Sequence, residues 1–204
     1  MPWLTFLATV VGGVWALNQW TDEIHSARVK ETLSFVRQFD ITKEGKSLRA
    51  TYERLIEEVY EVNKSAKGME APKNEGERAQ RRELLAKRLV KNVESNNLQD
   101  DIKELLDFFT NVAICATHNV CDKKSTLLFF GQQMFDFLNN YCSYLEEYGK
   151  RWSTSFGDTI FYFLFENKFH ETQKKIGDQY YFCERYRKIE RQSALERWLG
   201  RTPN

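Results

Sequence analysis

The sequence predicts an all-α protein: a single N-terminal transmembrane helix followed by a multi-helix cytoplasmic bundle. Three observations carry that expectation. Proline stands only at positions 2, 72 and 203 of 204 residues, so nearly the whole chain lacks the residue that most strongly interrupts a helix. Apolar residues recur at spacings of three and four, the period of a helix face. Charged side chains are absent from Met1 to Leu17 and dense afterwards.

The first element is the anchor, residues 1–20, with the helical body as residues 21–204. Its apolar side chains are Trp3, Leu4, Phe6, Leu7, Val10, Val11, Val14, Trp15, Leu17 and Trp20. At ~1.5 Å per residue such a helix is just long enough for a hydrocarbon core of ~30 Å. Trp3 at one end and Trp15 with Trp20 at the other suit the headgroup region, where amphipathic rings are favoured. A cleaved secretory signal requires a basic start and a small-x-small site, and Met1 to Asn18 makes a poor match to both. The stronger rival is a helix buried in the core of a soluble domain. Arg28, Lys30 and Arg37 follow the apolar run and only the α-amino group precedes it, which places the body on the cytoplasmic side.

The anchor helix is expected to continue to about Phe39, with Leu33, Val36 and Phe39 on one side, before a turn over residues 40–45. Residues 46–64 place Leu48, Tyr52, Leu55, Ile56, Val59 and Val62 on one helix face. Gly68, Pro72, Asn74 and Gly76 make residues 67–76 an exposed loop. A charged helix follows over residues 77–94, with Leu84, Leu85, Leu89, Val90 and Val93 as its apolar stripe, and residues 95–97 stop it.

The core is expected from the next two helices. Leu98, Ile102, Leu105, Leu106, Phe109, Val112, Ala113 and Ala116 form one face of a helix ending near His118 and Asn119. Residues 125–148 carry Leu127, Gly131, Met134, Leu138, Tyr141, Leu145 and Tyr148 at alternating spacings of four and three. The run Ile160 to Phe165 has no partner strand in prospect, so it reads as helix, and its Phe161, Tyr162, Phe163 and Phe165 are candidates for docking a partner. A last helix is expected over residues 178–199.

Chemistry is harder to find. Cys115, His118 and Cys121 stand three residues apart, a spacing that could bring metal ligands near one face, but no fourth ligand accompanies them. In a cytoplasmic body the four cysteines would be free buried thiols, and two cysteines on one helix would sit too far apart to bridge. On the oxidising side, Cys115 and Cys121 would be the nearest pair. The acids Asp100, Asp101, Glu104 and Asp107 read as a solvated helix face. Signatures for phosphate, dinucleotide, serine-hydrolase and zinc-protease chemistry are missing, which points to a non-enzyme with no cofactor. With a formal net charge of +1 there is no global attraction to nucleic acid.

The stretch from Leu105 to Trp152 resembles a widespread bacterial family of small uncharacterised proteins. It shares a leucine and aromatic run, a turn with an acidic residue, here Asp122, and an aromatic-glycine pair, here Phe130 and Gly131. The resemblance implies an N-terminal membrane helix and a helical cytoplasmic body at the bacterial inner membrane, and implies no activity. Together these readings point to a membrane-anchored interaction protein, an accessory subunit or adaptor bound to lipid and to other protein subunits. The alternative is a tethered regulator that binds nucleic acid or nucleotide through Arg185, Arg187 and Arg191, which interleave with aromatic residues near the C-terminus.

Overall fold

The computed structural model describes residues 2–41, 47–64, 74–152 and 157–169, and every regular element among them is a helix. In chain order these are α1 (Pro2–Asp40), α2 (Leu48–Lys64), α3 (Glu75–Ser95), α4 (Gln99–Thr117), α5 (Lys123–Trp152) and α6 (Asp158–Glu166). The all-α expectation is met. The helix foreseen over residues 178–199 and the candidates Arg185, Arg187 and Arg191 lie outside the described residues, as do residues 67–73 of the predicted loop. Residues 74–76 belong to the start of α3 instead: the Asn74 side chain accepts from the Glu77 backbone N–H at 2.9 Å, an N-cap that begins the helix earlier than the glycine pattern suggested.

Asparagines end two of the helices. Asn97 and Asn119 take positive φ values of 53° and 58°, the left-handed conformation that asparagine tolerates better than most residues. After Asn97 the Leu98 N–H donates back to the Val93 carbonyl, and after Asn119 the Val120 N–H donates back to the Cys115 carbonyl, each at 3.0 Å. These are the bonds that satisfy the last carbonyls of a helix and turn the chain sharply.

The core lies where α1, α2, α4 and α5 meet. Phe39 is its centre, 2% exposed, with its ring centroid 5.4 Å from Phe108, 5.8 Å from Phe130, 6.1 Å from Phe109 and 6.3 Å from Tyr52. Phe109 passes the packing on to Phe137, and Phe137 to Tyr141. The Tyr141 hydroxyl donates to the Leu55 carbonyl at 2.7 Å, so the one polar atom of that buried ring is satisfied. Buried Thr32, Thr51 and Thr126 each return a hydroxyl to the carbonyl four residues earlier, which removes the penalty of an unpaired group.

The second half of α1 joins this core through Thr32, Phe35, Val36 and Phe39. The described side chains before Ile24 do not. Every described side chain from Trp15 to Glu23 is exposed, and Ile24 is the first that is half-buried. No helix among the described residues is long and apolar enough to cross a membrane. In α1 the polar or small residues Thr5, Thr9, Gly12, Gly13, Asn18 and Gln19 dilute the apolar stretch.

Candidate functional site: the corner that holds helix α1

A helix of 39 residues is about 58 Å long at ~1.5 Å per residue, longer than a body of this size needs to bury it. Among its described side chains, those from Trp15 to Glu23 are not covered by the bundle. Trp15, Leu17 and Trp20 are 63%, 61% and 60% exposed, and on such side chains that is apolar area left in water. The residues expected from the sequence to form an anchor, Trp3, Leu4, Phe6, Leu7, Val10, Val11 and Val14, lie on the same helix.

The bundle grips α1 just past this segment, at the corner between α4 and α5. The Asp122 backbone N–H donates to the Thr32 hydroxyl at 3.0 Å and to the Arg28 carbonyl at 3.3 Å. Its carboxylate accepts from the Ser125 N–H at 2.8 Å, which makes Asp122 the N-cap of α5, and lies 3.7 Å from His25 Nδ1. Hydrogen bonds from the Ser125 hydroxyl and backbone, with smaller help from His25 and Lys124, hold the Asp122 carboxyl below the usual aspartate range against the opposing effect of burial. One residue thus starts α5 and holds α1 in place.

The corner is closed covalently. Cys115 and Cys121 form a disulfide with their Cα atoms 5.2 Å apart, within bridging distance. This corrects two sequence expectations. None of the described cysteines is a free thiol, since Cys142 is disulfide-bonded as well. Nor do Cys115 and Cys121 share a helix: α4 ends at Thr117, and the turn through left-handed Asn119 folds the chain back so that the two sulfurs meet. The metal candidates Cys115, His118 and Cys121 fall with it, because sulfurs joined to each other have no thiolate to offer a metal. Among the described residues no group of three potential ligands is placed to hold a metal ion.

The other sequence candidates take ordinary structural places. Phe161 and Phe163 are 3% and 1% exposed and belong to the core, Phe165 is half-buried, and Tyr162 alone of the aromatic run is exposed. Asp100, Glu104 and Asp107 face solvent, while Asp101 pairs with Arg54 of α2. Asp136 on α5 escaped the sequence reading: burial raises its carboxyl above the usual range, and the Gln132 amide donates to it at 2.9 Å. Burial and the charge of Asp136 push the Tyr52 hydroxyl upward too.

No family model matches the chain, and no curated protein or solved structure matches it. The reading of the site rests on its geometry.

Proposed function

We propose that the chain is a membrane-anchored, non-enzymatic helical interaction protein, in which the first half of α1 lodges in a bilayer and α2 to α6 form a body held beside it. One observation carries this: an apolar helical segment, represented by Trp15, Leu17 and Trp20, that the protein's own core leaves uncovered. Were the same segment the buried helix of a soluble domain, those side chains would be among the core residues. Lipid is the surrounding that makes burial of a helix with so few charges favourable, since its backbone groups are already bonded within the helix. The body's role as an accessory subunit or adaptor is supported by apolar side chains such as Leu128 and Tyr162 that remain 80% and 45% exposed.

The test is retention in membranes under alkaline carbonate. The full chain is expected to stay with the membrane pellet. A Val10→Lys, Val14→Lys variant places two charges within the apolar stretch, at about 2.5 to 3.5 kcal/mol each at a bilayer centre, and is expected to appear in the supernatant. Release of the wild-type chain by carbonate alone defeats the reading.

A further inference from the structure

The residue that bonds to the backbone of α1 follows directly on one half of a disulfide. Cys121 is 1% exposed and cross-linked to Cys115, and the next residue, Asp122, reaches Arg28 and Thr32 of α1. The turn has backbone support of its own: the Val120 and Cys121 N–H groups both donate to the Cys115 carbonyl at 3.0 Å, and the Asn119 N–H donates to Ala116 at 3.2 Å. The staple is therefore not needed for the turn to form. What it adds is a fixed distance between the end of α4 and the residue that holds the tether. Without it the Asp122 contacts to α1 depend on two hydrogen bonds and on His25, whose side chain is 67% exposed and whose attraction to Asp122 is weakened by water.

We infer that the Cys115–Cys121 disulfide is an oxidation-dependent clamp on the root of the tether, and that the body accordingly works in an oxidising compartment. The inference rests on the tether reading for its purpose and on the disulfide for its chemistry. Closure proceeds by exchange with an oxidised protein or small-molecule disulfide. One cysteine thiolate attacks a sulfur of that disulfide and displaces its other sulfur as a thiolate. The second cysteine then attacks the mixed disulfide, forms the Cys115–Cys121 bond and releases the first sulfur. Two protons and two electrons leave the cysteines, and the exchange partner ends as two thiols. In a reducing cytosol the same exchange runs backwards. The basic residues Arg28, Lys30 and Arg37 pull the other way, towards the cytoplasmic face. The disulfides weigh more because they involve every described cysteine.

Hydrogen exchange of the full chain in detergent micelles, read by mass spectrometry, tests the clamp. In a Cys115→Ser, Cys121→Ser variant, amides of residues 25–34 are expected to exchange about tenfold faster, with those of residues 50–59 unchanged. Wild-type protein reduced stepwise is expected to show the same change once Cys115 and Cys121 become alkylatable, which covers the case of a double variant that fails to fold. Unchanged exchange at residues 25–34 in the fully reduced chain overturns the clamp. Alkylation in intact cells tests the compartment: blocked Cys115 and Cys121 are expected, and two free thiols overturn it. Carbonate extraction of the same cells reports on the tether separately, so a chain that washes off the membrane yet shows the exchange change leaves the clamp standing and removes its anchor.

Discussion

Thr32 is a small residue with an outsized structural role. Its hydroxyl donates to the Arg28 carbonyl at 3.0 Å and accepts from the Asp122 N–H at 3.0 Å, all at 1% exposure. Thr32→Val keeps the shape and removes both bonds, leaving the Asp122 N–H only its 3.3 Å contact with Arg28. The expected loss is about 1 to 2 kcal/mol of unfolding free energy, measured by urea titration; a change within error shows that the contact adds nothing to the hold on α1. Asp122 makes a pH prediction. Its carboxyl titrates lower in the fold than in the unfolded chain, so its contribution is present above the unfolded value near pH ~4 and is lost as pH falls through the folded one. Asparagine caps a helix about as well as aspartate but does not titrate. Wild type is therefore expected to exceed Asp122→Asn in stability at pH 6, with the gap closing towards pH 2; a gap of constant size means that the carboxylate's charge does no stabilising work.

At the scale of elements, Phe39 joins four helices: it belongs to α1 and meets Tyr52 of α2, Phe108 and Phe109 of α4, and Phe130 of α5. Replacing it with alanine opens a cavity that rigid flanking rings cannot fill, and about 3 to 5 kcal/mol of stability is expected to go, checked by calorimetry. A smaller cost indicates that α1 docks on the bundle without depending on this cluster. The helices were legible because their apolar spacing survives in one dimension: Leu55 and Val59, Ile102 to Ala116, and Met134 to Leu145 are buried as their periodicity indicates. The site was legible only in part. A disulfide depends on where α4 stops, and that is decided by Asn119 entering the left-handed region, which no periodicity records. Asp122 and Thr32 stand 90 positions apart, and only the packing of α5 along α1 brings them together. The aromatic run of α6 misled for the opposite reason: it reads as surplus hydrophobicity in the sequence, yet Phe161 and Phe163 are spent on the core.

For the whole molecule the decisive contrast is between the two halves of α1. Through Thr32, Phe35, Val36 and Phe39 it packs into the core with α2, α4 and α5, whereas Leu33, expected on that face, is exposed, and among the described residues no element covers Trp15, Leu17 and Trp20. A single helix continuous from Pro2 to Asp40 couples the two halves stiffly, so in the proposed anchoring the depth of the first would fix the height of the body above the membrane. That coupling makes depth measurable. Tryptophan occurs at positions 3, 15, 20, 152 and 198, and single-tryptophan variants with the others changed to Phe can be placed in phosphatidylcholine vesicles brominated along the acyl chain. Positions 15 and 20 differ by about 7 to 8 Å along the helix axis at ~1.5 Å per residue. Trp15 fluorescence is expected to be quenched more strongly than Trp20, because Trp20 lies closer to the charged residues Asp22 and Glu23 and to the headgroups. Equal strong quenching means that α1 lies flat in the interface, and the body then rests against the lipid along its side. No quenching at either position means that the segment stays out of the acyl chains, and the anchoring reading falls.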